Sequence, residues 1–383
     1  MTPELAAVAL HRLPGHSAHD KHALVHQLGG LDRLAGADDR TLIAAGFPAG
    51  DVVAWRALAA SECAADTDWA KASDCHLLSC EHPAYPRGLS ALDDAPLVLW
   101  ARGDLDLLAP PKIAVVGSRN PSRGGEENAR SFAADLAVRG LVVVSGLAAG
   151  IDAAAHRGAL DAGGMTLAVV GTGADRVYPA ANRALAHDIA QQGVLISEFP
   201  LGTAPRPHHF PRRNRLISAV SLGVLVVEAA VRSGSLITAR QAGEQGRSVM
   251  AIPGSIHNPM ARGCHRLIRE GAKLVECSAD VLEDIGPALA ASSGHLTPGA
   301  DAERVTSNAD AEPAGTALPD AHRHLLHCLG HDTLSVDTLV TRTGDSVANV
   351  SSMLLLLELG GHVCREKDGR FSRQNAAVGT IDA

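Results

Sequence analysis

Between residues 113 and 275, short runs of apolar residues recur at helix-length intervals, and this alternation restricts the fold more than any other feature of the chain. The runs occupy 113–116, 141–144, 167–170, 194–196, 224–227, 249–252 and 274–275. Each is too short for a helix and too uniformly apolar for a strand with one wet face, so strands buried on both faces are expected. The stretches between them, 125–138, 152–161, 182–191, 213–220, 236–245 and 264–270, carry helical spacing. Together they predict an α/β fold, an extended Rossmann-like, doubly wound and mostly parallel sheet with helices on both faces. Residues 97–100 add one further expected strand.

The flanking regions differ in pattern. Residues 1–65 show helical spacing broken at Gly29-Gly30 and Gly46-Phe47-Pro48, which predicts a small helical module, either a helix-hairpin-helix or a plain helical cap. A proline-punctuated connector opens the central domain, taken as 66–289. From 290 to 318 Ala, Ser, Gly, Pro, Asp and Glu dominate, the composition of a flexible linker. Helical patterns at 322–329, 335–341 and 346–359, then two short runs around a Lys367-Asp368-Gly369 turn, describe a winged helix over 319–377.

No run of about 18 apolar residues occurs, and Met1-Thr2-Pro3-Glu4 lacks the basic region of a secretory leader. A cytoplasmic protein without a membrane span is expected. The seven cysteines are scattered with no C-x-x-C pair, and His257, Cys264 and His265 lack a fourth partner, so reduced thiols and no metal site are expected. The net charge of −8 is unevenly placed, because residues 201–270 hold ten Arg and three Glu, +7, against −15 elsewhere. A local basic footprint of this kind suits a polyanion or, failing that, a solvated arginine-rich face.

Three strand ends run into Gly/Ser loops that open helices: Gly117-Ser118-Arg119, Ser145-Gly146-Leu147-Ala148-Ala149-Gly150-Ile151-Asp152, and Arg232-Ser233-Gly234-Ser235. Such loops converge at the carboxyl edge of a parallel sheet, where helix N-termini present unpaired N–H groups, so a phosphate-bearing ligand is expected. Nucleotide signatures are missing. No G-x-x-x-x-G-K-[ST] occurs, and Arg176 stands where Gly171-Thr172-Gly173 would need its third fingerprint glycine, which excludes the usual nucleotide cofactors. Asp152 and His156 share a helix face at i and i+4, compatible with an acid/base pair. The reading adopted is that Asp152 caps its helix and His156 packs or hydrogen-bonds nearby. Arg212, Arg213 and Arg215 suggest phosphate contacts, although their spacing prevents all three from facing one way and leaves one or two as ion-pair partners. Ser233, Gly234, Ser235 and Thr238 bring hydroxyls and amides to another helix start. Tyr178, Phe199 and Phe210 are the only aromatics between Phe132 and Phe371, so a nucleic acid would be held mostly by its backbone.

These segments, in this order, resemble the DNA-processing protein family known as DprA or Smf. The resemblance runs from about Tyr85 to Ile285 and rests on Tyr85-Pro86, Gly117-Ser118-Arg119, the Ser145 to Asp152 loop with Ala155-His156, Tyr178-Pro179, Phe210-Pro211-Arg212-Arg213-Asn214-Arg215, Ser233-Gly234-Ser235-Leu236-Ile237-Thr238 and Ile252-Pro253-Gly254. It implies a cytoplasmic homodimer that binds single-stranded DNA and loads the recombinase RecA, notably in natural transformation, without catalysis or cofactor. It implies DNA-binding roles for Gly117, Ser118, Arg119, Gly146, Gly150, Arg212, Arg213, Arg215, Ser233, Gly234, Ser235 and Thr238, with Asp152 and His156 shaping the pocket.

Departures from the family pattern are visible. Ala180 stands where many relatives carry a basic residue after Tyr-Pro, so either Arg183 substitutes for it or one phosphate contact is lost. His265 replaces a more usual Asn, and no role follows for it. The ends resemble family appendages, a SAM-like or helix-hairpin-helix module in front and a winged helix behind. The would-be recognition helix, 345–359, contains Asp345 and Glu358 but no Lys or Arg, which disfavours phosphate contact and leaves a structural or protein-contact role. The rival is a Rossmann-like nucleotide hydrolase of the phosphoribohydrolase type using Asp152 or Glu198, but Ile252-Pro253-Gly254-Ser255 stops short of the Pro-Gly-Gly-x-Gly-Thr loop it requires.

Overall fold

The computed structural model describes residues 1–292, 318–330, 333–366 and 369–374. The chain divides into two compact units, the larger built from residues 1–121 and 125–292. Its strands are β1 (Cys75–Ser79), β2 (Val98–Gly103), β3 (Lys112–Val116), β4 (Val142–Ser145), β5 (Thr166–Val169), β6 (Val194–Ser197), β7 (Gly223–Val226), β8 (Ser248–Ala251) and β9 (Lys273–Leu274). Six helices precede the sheet, α1 (Pro3–Arg12), α2 (Ala18–Leu28), α3 (Leu31–Gly36), α4 (Asp39–Ala44), α5 (Ala49–Ala60) and α6 (Ala64–Trp69). Seven more accompany it: α7 (Arg123–Val138), α8 (Ile151–Asp161), α9 (Arg183–Gln192), α10 (His209–Ala219), α11 (Ser235–Glu244), α12 (Arg262–Arg269) and α13 (Ser278–Ser292).

The sheet order is β1-β2-β6-β5-β4-β3-β7-β8-β9. All neighbours from β6 through β9 run parallel, while β2 is antiparallel to β6 and to β1. The chain travels outward from β3 to β6, then returns to place β7 beside β3 and travels the other way. Loops leaving β3 and β7 therefore diverge, which makes this pair the topological switch point where ligands of open α/β sheets bind. The period-two alternation of a strand explains the double winding. Ala114 and Val116 face a core with Val144, Val169, Leu216 and Ala239, whereas Ile113 and Val115 face one with Leu136, Ala155, Met250 and Ile285.

The N-terminal helices share a core with the sheet, since Trp55, Leu10 and Leu34 cluster with Leu97, Trp100 and Leu195. The Trp55 indole N–H donates to the Ala6 carbonyl at 3.1 Å. Buried Asp66 accepts from Trp100 Nε1 at 2.9 Å and from Arg12 Nε at 2.9 Å.

The expected strands and helices of the central domain all form, with three differences. β1 arises within the proline-punctuated connector as an edge strand that was not anticipated. α10 begins four residues before the expected 213 because Pro211 falls in its first turn, where no amide hydrogen is needed. α13 was also not anticipated and continues to Ser292, into the stretch expected to be a linker. The rest of that stretch, 293–317, and Lys367 and Asp368 of the wing turn lie outside the described residues.

In the C-terminal unit, α14 (Asp320–Leu329), α15 (Val336–Thr343) and α16 (Val347–Leu359) precede an antiparallel hairpin of β10 (Val363–Arg365) and β11 (Phe371–Arg373). Leu325, Leu329, Leu339, Val350, Leu354 and Phe371 form its core. Three helices and a hairpin give the winged-helix arrangement read from the sequence.

Candidate functional site

A cleft of about 720 Å³ opens at the β3/β7 switch point. Its first lip is the loop after β3. Gly117 sits against Ile151 and the Glu228 carbonyl, and a Cβ there would stand 2.7 Å from Ile151 Cγ1. The Ser118 amide donates to the Glu228 carbonyl at 2.7 Å, and the Ser118 carbonyl accepts from the Ile151 amide at 3.1 Å. The Ser118 hydroxyl receives the Asn120 amide at 3.1 Å. The loop is thus tied to the end of β7 and the start of α8, and its next side chain projects outward. Arg119 is exposed, and its guanidinium carbon lies 5.1 Å from the Phe210 ring centroid. This cation–π contact orients the charge without neutralising it.

The second loop supplies the floor. Gly150, with φ +78° and ψ −126°, is the N-cap of α8, a conformation essentially reserved for glycine. The expectation that Asp152 caps this helix is corrected. Asp152 lies inside α8 and turns its Oδ2 back to the loop, accepting from the amides of Gly146 at 3.1 Å and Ala148 at 3.4 Å. Its carboxyl pKa is raised by burial, an effect that Arg213 and these amides oppose. His156 makes no pair with it. The Thr166 hydroxyl donates to the Val143 carbonyl at 2.7 Å and stands 2.7 Å from His156 Nδ1, so Nδ1 carries the proton and donates. Its Nε2 is buried without a hydrogen-bond partner among the described residues, and burial, with Arg213 and Arg157 adding to it, lowers the pKa to about 3. His156 is a neutral packing residue beneath the site, as the packing reading of the sequence expected.

Helix α10 distributes the three arginines by its pitch. Arg212 and Arg215, three apart, fall on one face, where both meet the buried Glu198, with Arg212 Nη2 at 3.2 Å and Arg215 Nη2 at 2.5 Å from Oε2. Arg215 Nε also pairs with Asp94 at 2.9 Å. Neither arginine lines the cleft, and the ion-pair role foreseen for one or two of them falls to this pair. Arg213 points the other way, is 3% exposed and donates through Nη1 to the Val169 carbonyl. It packs on Gly146, where a Cβ would stand 2.5 Å from Arg213 Cζ. Burial lowers the Arg213 pKa to about 10, and Asp152 counteracts this; the group is still charged at neutral pH.

The loop after β7 forms the opposite lip. Ser233, Gly234, Ser235 and Thr238 all line the cleft, and the Ser233 and Ser235 hydroxyls are 2.7 Å apart. Arg183 is exposed at the start of α9 but does not line the cleft. Asp152 and Glu198 line different cavities, Glu198 facing one with His11, Lys21 and Arg212.

Residues that sequence reasoning missed complete the site. Tyr178, 46% exposed, lies with its ring 5.5 Å from that of Phe210, and both line the cleft with Arg206, Arg232 and Asn214. Together with Arg119 they make a surface able to stack a planar group, which the low aromatic content did not lead one to expect. The available signal was two aromatics each followed by proline, Tyr178-Pro179 and Phe210-Pro211, in an aromatic-poor chain.

Residues 76–286 match a family model described as DNA recombination-mediator protein A, and residues 309–369 match one described as the DprA winged helix domain. Protein Smf of Escherichia coli is 42% identical over 302 residues, covering 79% of this chain and 78% of its own. DNA processing protein DprA of Streptococcus pneumoniae is 51% identical over 200 residues, 52% of this chain and 71% of its own. The solved structure of that pneumococcal protein superposes with a TM-score of 0.62 at 37% identity, covering 74% of this chain and 98% of its own. DNA processing protein A of Helicobacter pylori, solved for its single-stranded DNA binding mode, superposes with a TM-score of 0.50 at 29% identity, covering 56% of this chain and 97% of its own.

Proposed function

The chain belongs to the DNA recombination-mediator protein A family, and on that premise we propose that it binds single-stranded DNA in the β3/β7 cleft and delivers it to the RecA recombinase. The observation that carries the reading is the exposed Arg119 guanidinium held over Phe210, beside Tyr178, in a cleft rimmed by Ser233 and Ser235. A cation with no ion-pair partner among the described residues suits a phosphate, and the exposed Tyr178 ring beside the half-buried Phe210 suits an unpaired base. The binding mode described for the Helicobacter relative supports the same ligand. Sequence preference is low in this reading, because every base offers a π-face.

The protein acts as a binding mediator, not as a catalyst, working as a cytoplasmic homodimer that aligns two clefts on one strand and so raises effective concentration. Domains at 1–65, 66–292 and 319–377, with the compositional linker shortened to 293–318 because α13 runs to Ser292, complete the proposal. The hydrolase alternative is disfavoured by Asp152 being tied to two amides and by Glu198 facing another cavity. Among the described residues no helix is long and apolar enough to cross a membrane.

Titration of single- and double-stranded oligonucleotides over a salt series tests the assignment. Preference for the single strand and a negative salt dependence are expected. Equal affinity for both forms, or none for either, would overturn it.

A further inference from the structure

A second cavity, of about 590 Å³, lies on the far side of the α11 N-terminus from the cleft. The two share Arg232, Ser233 and Ile237 as lining residues, so a ridge of three side chains both separates and connects them. Beyond the ridge the wall carries Arg240, Arg247 and Arg266 with Glu244 and Glu270. Arg266 and Glu270 neutralise one another at 2.8 Å. Arg247 is committed through Nη2 to the Ala219 carbonyl at 3.2 Å. The guanidinium groups of Arg232 and Arg240, both exposed, make no ion pair or hydrogen bond among the described residues. They point to an outside partner rather than to the fold.

The remaining surface is low and apolar. Val231 is 49% and Ile237 40% exposed, and around Gly243 the space is open, with no neighbouring atom within 4 Å of where a Cβ would stand. Unpaired cations spaced along an open groove, against the one further carboxylate of Glu244 and with apolar side chains and no aromatic platform, suit the sugar-phosphate backbone of a strand better than its bases.

We infer that this second cavity continues the DNA path, so that a strand whose bases stack at Tyr178 and Phe210 crosses the Arg232–Ser233 ridge and runs over α11 to Arg240. The inference rests on single-stranded DNA as the ligand of the first cleft. It predicts a footprint longer than that cleft alone, with the added segment held by charge.

The test is fluorescence anisotropy with oligothymidylates of increasing length, comparing the wild type with Arg240→Ala, Arg240→Lys and Arg240→Glu. Wild-type affinity should rise once the oligomer outgrows the first cleft. Arg240→Ala should weaken the long oligomers several-fold and leave the shortest that binds unchanged, with Arg240→Lys restoring most of the loss and Arg240→Glu deepening it. For long oligomers the magnitude of the salt slope should fall by roughly 0.7 on losing one phosphate contact. An Arg240→Ala protein that keeps wild-type affinity at every length, or loses it equally at every length, overturns the extension while leaving the first cleft standing. A wild type that binds no oligomer sinks both readings. If the variants alter the mass seen by light scattering but not the length dependence, the cavity is a contact with a second copy of the chain and the inference fails.

Discussion

Arg213 rests its guanidinium against Gly146, with Cζ 2.5 Å from where a Cβ would stand. The contact fixes α10 relative to the end of β4 and holds a buried positive charge under the cleft floor, near Asp152. Gly146→Ala is therefore expected to displace Arg213 and destabilise the fold by about 1 to 3 kcal/mol, the range for overpacking a filled site. Urea denaturation monitored by circular dichroism measures it, and an unchanged midpoint would refute the packing account.

Arg119→Ala should leave stability within about 0.5 kcal/mol, as for other exposed positions, while weakening single-stranded DNA binding. With the proposed phosphate contact removed, the magnitude of the slope of log K against log salt should fall by roughly 0.7. Parallel titrations at several salt concentrations read both effects.

Phe210→Ala should lower affinity in a different manner. Base stacking on an aromatic side chain contributes about 1 to 3 kcal/mol per base and releases no counterion. Affinity should drop with the salt slope nearly unchanged, and a slope change as large as that of Arg119→Ala would mean that Phe210 acts only by steering the arginine.

Glu198→Ala should be among the most damaging single changes. It leaves Arg215, 7% exposed, with only the Asp94 carboxylate, and breaking a buried ion pair costs about 3 to 5 kcal/mol. Thermal and urea melts check this; Glu198→Gln, which keeps the hydrogen-bonding shape, should lose less.

Acid should destabilise the protein through His156. Its folded pKa is lowered to about 3 from an ordinary 6.5, so its contribution is complete above pH 6.5 and is lost as pH falls through that window towards 3. At pH 5 the unfolded chain binds the extra proton, an effect of about 2 kcal/mol for this group. Urea midpoints between pH 7.5 and 5 should fall, and less so in His156→Gln; equal slopes in both proteins would remove His156 as the source.

The parallel sheet was legible because its strands are continuous apolar runs, 113–116 and 224–226 among them, buried on both faces. The Gly/Ser loops were legible because glycine marks where backbones must approach, as Gly117 does Ile151. The division of labour among Arg212, Arg213 and Arg215 was only half legible. Their spacing said that they diverge, but which face met Glu198 depended on where α10 packs. Asp152 was misread because its position near a helix start looks like a cap, whereas the turn at Gly150 aims the preceding amides at it. Tyr178 and Phe210 meet only through tertiary structure, since no local pattern links residues 32 positions apart.

The two lips of the cleft, Ser118 and Ser233, come from loops 115 residues apart in the chain and meet only because β3 pairs with β7, Val116 lying opposite Val226. Neither half of the domain contains both lips of the cleft. Occupancy of the cleft thus reports closure of the whole sheet, and a bound strand would by mass action tighten that central pairing. A protein destabilised anywhere along it would lose its grip and its fold together.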